Sequence, residues 1–438
     1  MSSVILSLFL LMSLSLYFYS FSVGLILPVL SMSLMIIMFR LGSDVVYISS
    51  FWLEDKLSLI MVVVSFWVSV SMITLRNANK YSFLIVLLLS TSICFFSVSS
   101  WFMFFVFFEF SLIPIFLVLT FDGEQPERIR AGRFMMLYTV FISVPFLIAI
   151  VIISESGLKC VYDGSPILGS IFMSPLFFFC LVGGFLVKVP LFWLHSWLPK
   201  AHVESPLWGS IFLAGVLLKF GIYGLMRSVA MSLLEGLFME MVLAIGVVGA
   251  CYSAILALLS SDVKVIVAYS SVSHMNACFV GLMMLKQFSW KCAILVSVAH
   301  SLSASLLFYM VTVVYGMVGS RSLFVCKSIV SLYPGMMLFC FLSWSLNVGV
   351  PPTLSFMGEF CTITVVMSTW WGFSVGLLSS IFVNSSYSMM VFGSLCHGLK
   401  NWFKKSNITY NIISMVNMMW LFFPQLLLFV FCGFVIMS

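Results

Sequence analysis

Six ionisable residues sit where the surrounding sequence is almost wholly apolar. They are Glu109 in "FFVFFEFSLIPIF", Lys188 in "LVKVPLFW", Lys219 in "LAGVLLKFGIYG", His274 after "AYSSVS", His300 in "AHSLSASLLF" and Glu359 in "SFMGEF". A charge at the centre of a membrane-spanning helix costs roughly 2.5–3.5 kcal/mol on insertion scales, so several of them imply partners or a task. Proton relay is the task this inventory suits. Burial brings the proton affinities of amine and carboxyl groups towards one another, and an adjacent charge shifts both. A Glu/Lys pair can therefore change protonation when a neighbouring charge moves. Histidine titrates near neutral pH with little perturbation. Helical spacing puts Ser270 and Ser271 beside His274, and Ser297 and Ala304 beside His300, leaving room for water between the sites. Blander roles stay open: either histidine as a hydrogen-bonding brace between helices, and Lys219 or Lys264 with its amine extended to the membrane surface.

His195 and His202 lie in "HSWLPKAHVESP" with Lys200 and Glu204 around them. No third ligand accompanies them, and the spacing fits no zinc pattern, so no metal is expected. The segment reads as a loop between two helices, and the two histidines, with Lys264, are auxiliary candidates at a water-filled mouth.

The elements that must position these residues are spanning helices. Of 438 residues, 63% are hydrophobic and 8% charged, against about 25% charged in an ordinary globular chain. Lipid must be the solvent for most of this surface. Apolar stretches of about 20 residues specify helices, since barrel strands need only about 10 alternating residues. The fold class expected is an all-α polytopic membrane protein, a single transmembrane domain over 1–438. Its about 14 transmembrane helices are placed at 4–20, 21–39, 57–75, 81–99, 101–120, 133–154, 174–194, 206–226, 238–259, 263–285, 290–317, 335–367, 372–396 and 411–436. The apolar start lacks a basic leader and a cleavage site and reads as the first of these helices, not as a signal peptide. Lys and Arg concentrate in the loops after odd-numbered segments (Arg76, Lys80, Arg128, Arg130, Lys404). The positive-inside rule puts those loops in the matrix or cytoplasm and both termini opposite.

The net charge of +6 comes without any basic cluster larger than Lys404-Lys405, so no nucleic-acid partner is expected. The 11 cysteines form no ligand cluster, and no GxGxxG occurs, so neither iron–sulfur nor dinucleotide chemistry belongs to this chain. Thirty methionines and 46 phenylalanines suggest an AT-rich mitochondrial genome. Two segments, the seventh and the twelfth, are interrupted by proline, at Pro190 and Pro351-Pro352. Each proline lacks an N–H, which leaves the carbonyls of Leu186 and Asn347 open. Interrupted helices at matching positions in two halves are the mark of a transporter built from repeats.

The stretch "VKVPLFWLHSWLPKAHVESPLWGSIFLAGVLLKFGIYGLMR" (187–227) resembles the signature of the antiporter-like membrane subunits of respiratory complex I. "QPERIRAG" (125–132), "SDVKVIVAYSSVSHM" (261–275), "AHSLSASLLF" and "PPTLSFMGEF" (351–360) carry the resemblance from about residue 100 to 365. It implies two inverted five-helix repeats, 81–226 (helices 4–8) and 238–396 (helices 9–13), with helices 7 and 12 broken. It also implies roles: Glu109 pairs with Lys188, the pair modulates Lys219, and protons pass by His274 and His300 towards Glu359. NADH, FMN, iron–sulfur clusters and ubiquinone would then sit in partner subunits, beside neighbouring antiporter-like subunits, in the mitochondrial inner membrane. The chain departs from the family's pattern at Trp208, where a small residue is usual, at Ser301, where glycine is usual, and at Glu124, where a neutral residue is common. Two rivals remain: a subunit of a multisubunit Na⁺/H⁺ antiporter, and a structural membrane subunit whose charges only brace helices.

Overall fold

In the computed structural model the described residues are 47–48, 52–73, 82–123, 125–155, 175–229, 237–328, 330, 334–398 and 412–437. A short antiparallel ribbon, β1 (Tyr47–Ile48) against β2 (Leu53–Glu54), precedes the helices. These are α1 (Lys56–Ile73), α2 (Ser82–Ser97), α3 (Trp101–Asp122, interrupted at Ser111), α4 (Arg128–Glu155) and α5 (Pro175–Lys188). Next come α6 (Trp197–Glu204), α7 (Leu207–Val229), α8 (Leu237–Leu259), α9 (Val263–Leu282) and α10 (Gln287–Val318). The last are α11 (Pro334–Val348), α12 (Leu354–Met367), α13 (Trp371–Cys396) and α14 (Ile412–Met437). Every expected segment from 57–75 onward coincides with one of these helices or with a broken pair. The stretches 4–20 and 21–39, the total of fourteen, and Glu124 lie outside the described residues.

Burial sorts the helices. The spanning windows of α7, α9 and α10 are wholly or nearly enclosed by other helices, whereas α4 and α13 leave most of theirs uncovered. On α4 the uncovered residues Leu137, Phe141, Val144 and Ile148 recur every three or four positions, an apolar stripe for lipid or a neighbouring subunit. The enclosed helices carry Lys219, His274 and His300, so the ionisable residues occupy the middle of the bundle.

Aromatic packing fixes the first half. Phe95 of α2 stacks on Phe220 of α7 at 4.1 Å, and Phe108 of α3 meets Phe185 of α5 edge-on at 5.3 Å. A Cβ at Gly224 would fall 2.3 Å from the Phe185 ring, so only glycine lets α7 lie this close to α5. At the end of the same bundle Asp55 caps α1 by exchanging hydrogen bonds with Ser58 at 2.9 Å each way. Its other oxygen takes the Arg227 guanidinium at 2.5 Å. The Tyr223 hydroxyl accepts from Arg227 at 3.1 Å and donates to the Phe96 carbonyl at 2.7 Å, tying α1, α2 and α7 together.

Both interruptions are real, but proline does not act in them as the sequence suggests. After α5, the Leu191 N–H donates to the Leu186 carbonyl at 3.2 Å, and Trp197 Nε1 takes the Val187 carbonyl at 3.0 Å. The carbonyl expected to stand open is thus closed by the chain itself. In the second break, α11 stops before its prolines. Gly349, at φ 74°, donates to Leu346, and Val350 donates to Ser345. This is the Schellman arrangement, which requires a left-handed residue and therefore favours glycine. Ser355 Oγ adds a bond to the Leu346 carbonyl at 2.8 Å.

Candidate functional site

Lys219 is 1% exposed, which excludes an amine stretched to the membrane surface. The helix widens into a π turn over Leu213–Leu217 just before it, where the Leu218 N–H reaches back to Leu213. The Ala214 carbonyl accepts the Lys219 amine at 2.7 Å. π turns in α-helices recur at functional sites because they turn a carbonyl out of the ladder. On its other side the Lys219 amine meets His300 Nδ1 at 3.1 Å. The His300 ring faces that of His274 with centroids 5.9 Å apart, and His274 Nδ1 meets Glu359 Oε1 at 3.0 Å. Four of the residues singled out from the sequence therefore form a row: Lys219, His300, His274, Glu359. Two close contacts are separated by one gap between imidazoles.

Glu359 owes its position to the second break. A Cβ at Gly349 would lie 3.2 Å from Glu359 Oε2, so the carboxylate rests on the bare backbone of the Schellman turn while its other oxygen faces His274.

Lys188 is buried in the aromatic packing, its amine 3.4 Å above the centre of the Phe108 ring. It donates to the Phe108 carbonyl at 2.8 Å and approaches Ser111 Oγ at 3.4 Å. Ser111 is the point where α3 is interrupted, and its hydroxyl shares the same carbonyl at 2.8 Å. Among the described residues no ion pair within 4.0 Å joins Lys188 to Glu109. The expected pair is instead an interaction through space, with the lysine held by the carbonyl next to the glutamate.

Of the auxiliary residues, His202 lies within electrostatic reach of Lys219 and His300 in the row and of Lys264. Lys264 donates to the carbonyls of Val203 (3.2 Å) and Ser205 (2.6 Å), and Arg321 donates to Val203 at 3.0 Å. Two cations thus cap the C-terminal end of α6, where helix carbonyls and the helix dipole favour positive charge. Fully buried His202 stacks on Phe308 at 4.6 Å. His195 stacks on Phe192 at 5.8 Å. "HSWLPKAHVESP" is not the plain loop expected: all but two residues at each end form a helix, Trp197–Glu204, most of it buried.

Three contributors escaped the sequence reading. Asn276 donates to the Pro190 carbonyl at 3.3 Å and so braces the first break from α9. Gly349 ends α11 through a left-handed turn, which leaves no mark in a sequence beside two prolines. Asp122 accepts from Trp208 Nε1 at 2.6 Å, so the tryptophan that departs from the family's pattern is accommodated by a carboxylate at the end of α3. Ser301 is buried, its hydroxyl returned to the Val298 carbonyl at 2.6 Å.

The family model for the transmembrane region of NADH:quinone oxidoreductases and Mrp antiporters matches residues 98–386, which spans the whole row and both breaks. The chain belongs to this family. Among its curated relatives, the NADH-ubiquinone oxidoreductase chain 4 of Rhipicephalus sanguineus is 34% identical, over 82% of this chain and 83% of that protein. The chain of the same name from Locusta migratoria is 35% identical, over 82% of each. Among solved structures, a chain of the respiratory complex I of Thermus thermophilus with bound NADH has the same fold, with a TM-score of 0.84 at 21% identity, covering 98% of this chain and 95% of that one. A chain of an archaeal membrane-bound sulfane sulfur reductase follows at 0.79 and 17% identity, covering 99% and 94%.

Proposed function

We propose that this chain is the proton-translocating membrane-arm subunit of respiratory complex I, a multi-pass protein of the mitochondrial inner membrane. It works beside other antiporter-like subunits as part of an NADH:ubiquinone reductase. NADH, FMN, iron–sulfur clusters and ubiquinone belong to partner subunits in this reading, and this chain contributes the proton path. The observation that carries it is the row from Lys219 through His300 and His274 to Glu359, with its 3.1 Å and 3.0 Å contacts.

Each residue has a task the geometry suits. Lys219 holds a proton against His300 Nδ1, while the Ala214 carbonyl keeps the amine in place whether it carries two protons or three. His300 takes that proton on one nitrogen and offers the other. The 5.9 Å between ring centroids is bridged by ring rotation or one water, after which His274 hands the proton to Glu359. Glu109 and Lys188 lie off the row. A change of charge at Glu109 alters the field at Lys188, which modulates Lys219. The two breaks support a reading of 81–226 and 238–396 as inverted repeats within about 14 helices.

The family includes Mrp antiporters, but curated relatives over about four fifths of the chain are named for NADH-ubiquinone oxidoreductase. Gentle solubilisation, a native gel stained for NADH oxidation and mass spectrometry of the bands decide between them. Co-migration with the large active band supports complex I. Recovery only in a smaller band without NADH oxidation moves the chain to an antiporter. Lys219→Ala then tests the relay: the complex assembles and oxidises NADH with an artificial acceptor, but NADH-driven proton translocation is lost. Full translocation would leave a structural role only.

A further inference from the structure

A cavity opens beside the His274–Glu359 end of the row. It is lined by His274, Glu359, Thr362, Ser380 and Asn384 among apolar neighbours, and offers the centre of a water molecule about 10 Å³, room for about one. Two of the polar lining residues come from α13, a helix that carries no member of the row. Asn384 is buried, and its Oδ1 accepts the Ser273 hydroxyl at 3.2 Å. Ser273 is next to His274 in sequence, and its single hydroxyl proton is shared between Asn384 Oδ1 and the Ser270 carbonyl at 2.8 Å. With its oxygen held in this way, the amide has its NH₂ group to present to the cavity. One turn further along α13, wholly buried Tyr387 accepts from Asn347 Nδ2 at 3.3 Å, and Asn347 lies two residues before the Schellman glycine on which Glu359 rests. A polar face of α13 is thus bonded to α9 and to the end of α11, on both sides of the last acid of the row.

We infer that Asn384 is a positioning residue for proton transfer at Glu359: its amide orients a water in this cavity between the His274–Glu359 pair and α13. This rests on the relay reading given above. The water accepts from the Asn384 amide and donates to the Glu359 carboxylate, which holds the carboxylate in place while its other oxygen receives the proton from His274. A site built to hydrogen-bond its occupant loses much more from an apolar isostere than from a smaller polar group, because buried polar partners are then left unpaired. Thr362 and Ser380 return their hydroxyls to the carbonyls of Glu359 (2.8 Å) and Leu377 (2.7 Å), leaving the Asn384 amide and His274 Nε2 as the nitrogen groups of the lining not already committed in this way.

The test uses the assembled complex in proteoliposomes with Asn384→Leu, which keeps the branched shape and removes the amide, and Asn384→Ser, which supplies a hydroxyl in its place and adds space for a second water. NADH oxidation with an artificial acceptor reports assembly, and NADH-driven proton translocation reports the relay. Expected are loss of translocation in Asn384→Leu, its recovery in Asn384→Ser, and normal assembly in both. A purely structural asparagine would respond to both substitutions or lower assembly, and either result overturns the inference. Normal translocation in Asn384→Leu overturns it as well. In that case a parallel loss in Lys219→Ala shows that the relay reading survives, whereas normal translocation in both variants removes the relay itself. A structure of the wild-type complex at a resolution that shows waters gives a second measurement, and an occupied water within hydrogen-bond distance of Asn384 Nδ2 is required.

Discussion

Gly349 combines two demands that can be separated by experiment. Its φ of 74° is the left-handed region, where a Cβ costs roughly 1–2 kcal/mol. Its missing Cβ also faces Glu359 Oε2 at 3.2 Å and the Phe356 backbone at 3.4 Å, tighter than ordinary contact. Gly319, at the end of α10, shares the first demand without the second: φ is 75°, and nothing lies within 4 Å of a Cβ built there. Gly319→Ala therefore measures backbone strain alone. Gly349→Ala adds displacement of the carboxylate by a few tenths of an ångström away from the turn, which disturbs its bond to His274. A hydrogen bond to a charged group contributes about 1.5–3 kcal/mol, and each 1.4 kcal/mol is tenfold, so weakening it by half slows proton exchange at that step by about threefold to tenfold. Both variants should lose a similar amount of resistance to heating, read as the NADH-oxidising band remaining on a native gel after a temperature ramp. Only Gly349→Ala should lower proton translocation per NADH oxidised. Equal translocation in the two variants would refute the claim that the turn positions Glu359, and an unperturbed thermal profile in both would refute the strain argument.

Two further substitutions follow from the same geometry. Lys188→Arg keeps a charge against the Phe108 carbonyl but cannot release a proton near neutral pH, so translocation should fall while NADH oxidation with an artificial acceptor persists. Unchanged translocation would make Lys188 a fixed countercharge. Trp208→Phe removes the donor at 2.6 Å from Asp122 and should cost about 1.5–3 kcal/mol, seen as a lower dissociation temperature of the assembled complex. An unchanged temperature would mean that the pair is incidental.

How much of this was legible without coordinates depended on the length scale of the signal. Spanning segments are set by apolar runs of about 20 residues, and every described one formed where the hydropathy put it. The members of the row were legible for a related reason, since an ionisable side chain stands out against 63% hydrophobic sequence. Hydrogen-bond partners were legible only in part. Lys188 and Glu109 interact electrostatically, as their pairing implies, but the Lys188 amine takes its hydrogen bond at the Phe108 carbonyl beside the interruption at Ser111, which no hydropathy window detects. The second break was placed on Pro351-Pro352, although the helix ended at Gly349, because a missing N–H is visible in a sequence and a left-handed turn is not. Asn384 was invisible as well: an asparagine on a spanning helix has many plain uses, and only its placement beside Glu359 distinguishes it.

The three charged residues best defined by the structure share one device. Lys188 donates to the carbonyl beside an interrupted turn, Lys219 to a carbonyl within a π turn, and Glu359 lies on the turn that ends α11. Irregular backbone at membrane depth is tolerated only where protein or water satisfies it, so each irregularity both needs a polar partner and holds it in place. For the lysines the hydrogen-bond partner is neutral. A carbonyl accepts a hydrogen bond from an amine with two protons as well as from one with three, so losing a proton breaks no contact ion pair, and at Lys188 the remaining acid, Glu109, is coupled only through space. Had either lysine been locked against a carboxylate, deprotonation would have stranded that carboxylate, and breaking a buried pair in this way costs about 3–5 kcal/mol. The one close charged contact in the row joins Glu359 to a histidine, a residue able to give the proton back. Helix irregularities thus supply the anchoring that ion pairs would otherwise give, and the anchored groups stay free to change protonation.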